Sequence, residues 1–267
     1  ADLWKQDAHE PVDIEQQVAH KQSVPGVHHW RHARTLACGM NDPDAGATSL
    51  SHAADSKFCP RCTAPLAYET SWIGHLGDWR CAACGTSRPP LDVSVSAVAL
   101  DGLAASRIDI QLPTESAQMQ IRIPGLYNVY NALMAGATAH ALGIQSNIIA
   151  AGLGRFSPAF GRFERIPVPG TGTVTLLLVK NPTGLNEVVR TLVGAQIDLT
   201  ALLFALNDGI ADGRDTSWIW DADLEPLFGA ATSGIIATGD RAAEFALRAV
   251  YGGADPASIA VVDDIEE

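Results

Sequence analysis

Two Cys-x-x-Cys pairs constrain this chain more than any other feature. They are Cys59-Pro60-Arg61-Cys62 and Cys81-Ala82-Ala83-Cys84, the second followed by Gly85, with eighteen residues between them. A pair at this spacing turns both sulfurs toward one point, and two such pairs supply the four ligands of a tetrahedral zinc ion. The sequence therefore predicts a zinc ribbon over about residues 57–90, with Cys59, Cys62, Cys81 and Cys84 as the ligands. Four protein sulfurs leave no position for water, so the expected ion is structural rather than catalytic. Arg61, Arg80 and Gly85 are candidate donors to the sulfurs. His75 lies between the pairs, but the set is complete without it. A redox role is disfavoured by the two copies and the lack of a thioredoxin-like context. Cys38, the fifth cysteine, is left as a small core or loop residue.

The length, 267 residues, has room for about two domains. Hydrophobic residues at 47% and charged residues at 18% are ordinary for a globular chain and unlike a disordered one. Thirty acids against eighteen bases give a net charge of −12, which repels phosphate, so no nucleic-acid partner and no anionic membrane surface is expected. No apolar run reaches the roughly 18 residues of a transmembrane segment, and no signal peptide is recognisable, which points to the cytoplasm. Residues 1–35 stand apart. His9, His20, His28, His29 and His32 fall there without a sustained period. A His-rich metal tract is one reading; a disordered leader is preferred, because no acid or cysteine completes a ligand set.

Between Asn41 and Asp55 the chain reads as loop, and after Arg88-Pro89-Pro90 the segments LDVSVSAVALDG, SRIDIQLP and QMQIRIPG read as strands. Apolar residues at helical spacing from Leu126 to Leu142 predict a helix stopped by Gly143, and a second helix is expected from Ser146, as N-cap, to about Leu153. Past Pro167 come four apolar runs: VTLLLVK (174–180), TALLFAL (200–206), SGIIATG (233–239) and SIAVVDD (258–264). With helices between them, the expectation is a doubly wound α/β unit with these runs as parallel strands.

Three further motifs carry polar groups. Asn128 and Asn131 open the Ala-rich helix, where they either cap it or turn their amides toward a planar ligand. Lys180 and Asn181 end an apolar strand before a helix, which is either a ligand contact or an ordinary turn. From Asp208 to Asp223, five aspartates share one loop with Trp218 and Trp220. A solvated loop rarely holds two tryptophans, so a protein interface is the sharper reading, and one aspartate could orient a partner's histidine.

CPRCTAPL with CAACG, PGLYNVYNALMAGATAHALG, GRFER, NPTGLNEVVR and ALNDGIADGRDTSWIWDADLE together resemble the MurT family, the Mur-ligase-like subunits of lipid II isoglutaminyl synthase. The resemblance runs from about residue 36 to the C-terminus. It implies an α/β fold in two parts: a partial Mur-ligase central domain over 36–164, carrying the inserted zinc ribbon, then a Rossmann-like C-terminal domain over 165–267. It implies a carbon–nitrogen ligase that uses ATP and Mg to amidate the D-glutamate α-carboxylate of the lipid II stem peptide, with ammonia from a GatD-type glutaminase partner. By the same resemblance Asn128 and Asn131 lie near the adenine, Arg162 at the hinge between the domains, and Lys180 and Asn181 at the strand end facing the nucleotide. Asp215 is expected to complete the partner's Cys-His pair, with Asp212 as second choice. A GTNGKT-like phosphate loop, a downstream glutamate for magnesium and a ribose-binding aspartate before Asn181 have no match in this chain. The expectation is thus a fragment shortened at both ends that does not bind ATP productively. The alternative is a non-catalytic, zinc-stabilised module that docks the glutaminase.

Overall fold

Alternating apolar residues build the first layer. In a computed structural model, the described residues are 35–50, 56–157, 161–170, 172–196, 199–210, 213–230 and 234–262, so the histidine-rich leader lies outside them. Strands β1 (Cys38–Met40), β2 (Ala67–Ile73), β3 (Leu76–Arg80), β4 (Val93–Asp101), β5 (Ala105–Gln111) and β6 (Ser116–Ile121) come first. One sheet has the order β1-β4-β5-β6, with β1 parallel to β4 and the other pairs antiparallel; β2 and β3 form a separate hairpin. Val93, Val95, Ile108, Ile110, Met119 and Ile121 bury one face of that sheet, as the period of two requires.

Helix α1 (Leu126–Ala141) covers this face with Leu126, Val129, Leu133 and Ala137, the spacing of a single helical stripe, and α2 (Ser146–Arg155) adds Ile149. Gly143, at φ +82, follows α1 as the pattern predicts. The expected cap at Ser146 is corrected. Gln145 is the N-cap without a side-chain bond, and Ser146 Oγ donates instead to Glu115 Oε2 at 2.9 Å, a partner thirty-one residues away.

The second part contains β7 (Arg162–Val168), β8 (Gly172–Leu177), α3 (Pro182–Gly194), β9 (Leu202–Ala205), α4 (Glu225–Ala230), β10 (Ile235–Thr238), α5 (Ala242–Tyr251) and β11 (Ile259–Val262). Strands β9, β10 and β11 form a parallel sheet in the order β11-β10-β9. Three of the four apolar runs therefore join as expected. The fourth does not: β8 turns back at Pro169-Gly170 and pairs antiparallel with β7, leaving Val174 and Leu176 exposed. A continuous apolar run carries no label for its partner, and a nearby turn closes a hairpin at less entropic cost than a distant pairing.

The shared register of the three parallel strands assigns their faces. Leu202, Phe204, Ile235, Ala237 and Ile259 join the core under α5, where Phe204 stacks on the fully buried Phe245 with ring centroids 3.9 Å apart. Leu203, Ala205 and Ala260 lie on the opposite face and are exposed. On that same face Ile236 is half-buried and Thr238 buried, so among the described residues its outer strands are open while the central strand is covered.

Candidate functional site

The two cysteine turns are built alike. Cys59 N–H donates to Ala64 O at 2.8 Å and Thr63 N–H to Cys59 O at 2.9 Å; Cys81 N–H donates to Thr86 O at 2.7 Å and Gly85 N–H to Cys81 O at 3.0 Å. Each turn needs a left-handed residue four positions after its first cysteine. Gly85 (φ 76) adopts it freely and Thr63 (φ 58) against its own preference. All four sulfurs lie within 4.8 Å of one another, with Cys59–Cys84 at 3.6 Å and Cys62–Cys81 at 3.5 Å. Disulfides would bring the sulfurs to about 2.05 Å. Tetrahedral ligation at about 2.3 Å per bond separates them by about 3.8 Å, so the cluster fits a zinc-sized ion. Hydrogen bonds from Thr86, side chain and then backbone, draw the Cys84 thiol down to about 6, whereas Cys62, although the Ala64 backbone lowers it, is pushed up to about 12 by hydrogen bonds with Cys81 and Cys84. Arg61 N–H points at Cys59 Sγ, 3.4 Å away. His75 is no member of the cluster.

The β2–β3 hairpin extends from this cluster toward α3. Its Trp72, 3% exposed, donates to Asp42 O at 2.7 Å, and the Arg88 guanidinium lies 5.3 Å from the Trp72 ring centroid. At the hairpin turn, a Cβ on Gly74 would sit 3.2 Å from Thr183 in the first turn of α3. Between hairpin and helix lies a groove of about 540 Å³ lined by Trp72, Asn186, Glu187, Arg190 and Asp223. Glu187 is 6% exposed and accepts from Arg190 Nη2 at 2.6 Å. Burial pushes its carboxyl up to about 7 despite the Arg190 charge pulling the other way.

Of the residues expected near a nucleotide, Asn128 is buried, and its Nδ2 donates to Pro124 O at 2.7 Å. Neither asparagine caps α1; Gly125 (φ 93) does, without a side-chain bond. Asn131 is exposed and its Nδ2 lies 3.5 Å from Asn128 Oδ1, so Asn128 positions and Asn131 presents the amide. Beside them Tyr127 stacks on Phe163 at 6.4 Å in the bulge next to Arg162, which opens β7 opposite Leu177. Asn181 caps α3, its Oδ1 accepting from Gly184 N–H at 2.7 Å, and Lys180 precedes it, exposed. The point of α3 that meets the start of α1 is Thr191, whose Oγ1 would lie 2.8 Å from a Cβ on Gly125. That is ten residues beyond Asn181, about 15 Å along the helix axis, so the asparagine pair and the α3 cap are not one cluster.

In the acidic loop, Asp215 Oδ1 accepts from Ser217 N–H at 2.9 Å and from Ser217 Oγ at 2.6 Å. The Ser217 hydroxyl and then its backbone lower the Asp215 pKa, so this exposed carboxylate is ionised and held in one orientation. Asp212 lies outside the described residues. The tryptophans differ from expectation. Trp218 packs against the second core, and Trp220 is the outward one at 40% exposure. Arg248 was not legible as functional in the sequence. It is 5% exposed and donates to Ile219 O at 3.2 Å, Ala222 O at 2.6 Å and Glu225 Oε1 at 2.8 Å, which pins the loop to α5. Its one signal is position, since it falls beside Phe245 and Ala249 on the apolar stripe of an amphipathic helix.

Comparison with solved structures defines the class. A pseudomurein peptide ligase type C from Methanothermus fervidus superposes with a TM-score of 0.62 at 22% identity, covering 88% of this chain and 43% of that one. MurF from Acinetobacter baumannii gives 0.50 at 24% identity over 64% of this chain and 36% of that one. The fold is that of the Mur-type ligases. The family model for the MurT ligase C-terminal region matches residues 178–267. The MurT subunit of the glutamine-hydrolyzing lipid II isoglutaminyl synthase of Streptococcus pneumoniae is 35% identical over 227 residues, which is 85% of this chain and 49% of that protein. Its Staphylococcus aureus (strain COL) counterpart is 32% identical over 195 residues, 73% of this chain and 42% of that protein. The chain is a MurT-like protein, and it spans less than half the length of these relatives.

Proposed function

We propose that this chain contributes to an ATP-dependent ligase that amidates the D-glutamate α-carboxylate of lipid II, with ammonia from a glutaminase partner. The likeness to MurT subunits over 85% of the chain carries the reading. In it, zinc occupies the Cys59, Cys62, Cys81 and Cys84 cluster and ties the two cysteine turns together, a role supported by the sulfur spacing. ATP activates the carboxylate when bound. The chain's own part is to position it: Asn131 presents an amide fixed by Asn128, Arg162 stands at the junction of the two parts, and Lys180 and Asn181 mark the start of α3. Magnesium would enter with the nucleotide's phosphates, and no residue here is assigned to it. Asp215 supplies the ionised carboxylate that orients the glutaminase's histidine, as the acid of a Cys-His-Asp arrangement does.

The proposed location is the cytoplasm, with the substrate at the membrane surface; among the described residues no helix is long and apolar enough to cross a membrane. The test is reconstitution with the glutaminase subunit of the same organism, lipid II, ATP and glutamine. Glutamine hydrolysis that depends on this chain and is lost in Asp215→Asn, without amidation by the chain alone, is the expected result, and amidated lipid II is expected once a segment carrying the phosphate loop is joined to it. Glutaminase binding without any amidation by that joined protein would instead favour the docking module, a reading the anchored acidic loop also supports.

A further inference from the structure

We infer that α3 is a latch between the two parts of the chain, seated on the first part by the row Thr183, Glu187 and Thr191, and that ionisation of the Glu187 carboxyl unseats it. The inference is independent of the reaction the chain serves. These three residues lie four apart, so they form one row along α3. Leu185, Val188, Val189 and Leu192 occupy the opposite side and are buried in the second core.

Both ends of the row meet a glycine of the first part. Thr183 faces Gly74 at the tip of the β2–β3 hairpin, where an added Cβ would sit 3.2 Å from its Cγ2, and Thr191 faces Gly125 at the start of α1, where one would sit 2.8 Å from its Oγ1. The helix therefore rests directly on the backbone of the first part at two points. The hairpin end of this seat is firm, because Trp72 and Ile73, next to the tip, are buried in the first core.

Between these contacts the row presents an acid. Glu187 is 6% exposed, and the groove beside it has Trp72 as its other wall. A neutral carboxyl tolerates such burial, whereas a carboxylate there is short of water and positive charge. On its own helix Arg190 donates to it at 2.6 Å but is itself half-exposed. Across the groove stands Asp223, which accepts from Asn186 Nδ2 at 3.3 Å. From α1 comes Tyr130, whose phenol is pushed up to about 12 by burial and is neutral, with Arg88 beyond it over Trp72. The hairpin wall, Ser71, Trp72 and Gly74, carries no charge. Lifting α3 off the hairpin removes the burial that raises Glu187 to about 7, so the seated form holds a proton that the unseated form releases. Seating is strongest below about 4.5, the ordinary value, and weakens as pH rises to about 7.

The test is hydroxyl-radical footprinting of the chain at pH 5 and pH 8, with oxidation at each residue read by mass spectrometry. Trp72 reports on the seat, while Met119 in the first core and Phe245 in the second report on the fold as a whole. Trp72 oxidation is expected to rise at least about threefold from pH 5 to pH 8 in the parent chain, with Met119 and Phe245 protected at both. Glu187→Gln should keep Trp72 at the parent's pH 5 level throughout. Arg190→Met removes the charge that favours the carboxylate, so it should raise Trp72 oxidation further at pH 8 and leave the pH 5 value unchanged. No rise in the parent, or a rise that Glu187→Gln shares, would overturn the inference. So would a Glu187→Gln chain oxidised at Trp72 to the same high level at both pH values, since its carboxamide is uncharged. A parallel rise at Met119 and Phe245 would assign the effect to the whole fold, and an Arg190→Met effect of equal size at both pH values would reduce the row to packing; either overturns the latch.

Discussion

Glu187 is a buried carboxyl whose chemistry departs far from that of an exposed glutamate. Its carboxyl is raised from an ordinary 4.5 to about 7, so the folded protein holds a proton that the unfolded chain has released throughout that interval. Stability therefore falls as pH rises from about 4.5 to about 7, by on the order of 3 kcal/mol. Above that window the loss is complete. Glu187→Gln removes the titration, so urea midpoints at pH 5 and pH 8 should differ less in the variant than in the parent protein. Equal pH dependence in the two would show that the Arg190 pair already compensates the burial. Nothing in the sequence singles out Glu187, since a glutamate in the first turns of a helix ordinarily faces solvent; its burial comes from Trp72 and the hairpin on the opposite wall of the groove.

At the scale of elements, the cysteine turns were legible in full because everything they need is local. A fixed spacing, a left-handed residue after each pair and two backbone bonds per turn define them, whatever surrounds them. The β2–β3 hairpin between them has little apolar core of its own: Leu76 is exposed, and its buried Trp72 and Ile73 pack on the first sheet's core. A metal held by the four sulfurs would then be its main cross-link at the other end. Elemental analysis should find about one equivalent of zinc per chain in the reduced protein. Stripping it with a chelator should reduce the near-ultraviolet dichroism of Trp72 and Trp79 while leaving most of the helical signal. A metal-free protein with an unchanged tryptophan signal would show that the hairpin stands without the ion.

For the whole molecule, two separate cores raise the question of what each sheet face contributes. Phe245 is fully buried, stacked on Phe204 and edge-on to Phe228 at 6.3 Å, so Phe245→Ala should cost about 3–5 kcal/mol in chemical denaturation. Leu203 points from the same sheet to the other side and is 55% exposed. Leu203→Ser should change stability by less than about 1 kcal/mol, and a larger loss would reveal that something covers that face. The contrast shows that the strands were legible in the sequence and the covering of each face was not. Apolar composition made strands of these segments, but which face gains helices depends on the path of the chain between strands.

The sequence by itself determined the cysteine cluster, the three antiparallel strands of the first sheet with their covering helix, and the resemblance to MurT subunits, because spacing, periodicity and motif act over a few residues and survive any arrangement of the rest; the parallel strand β1, paired with a segment more than fifty residues away, was not legible. The tertiary structure alone decided that β8 leaves the parallel sheet for a hairpin, that Trp220 rather than Trp218 faces outward, and that Arg248 and Glu187 are buried. Each of those outcomes turns on partners far away in the chain: Arg248 on carbonyls 26 and 29 residues off, Glu187 on a hairpin more than a hundred residues upstream. Burial and pairing of this kind are properties of the assembled chain, and no local pattern encodes them.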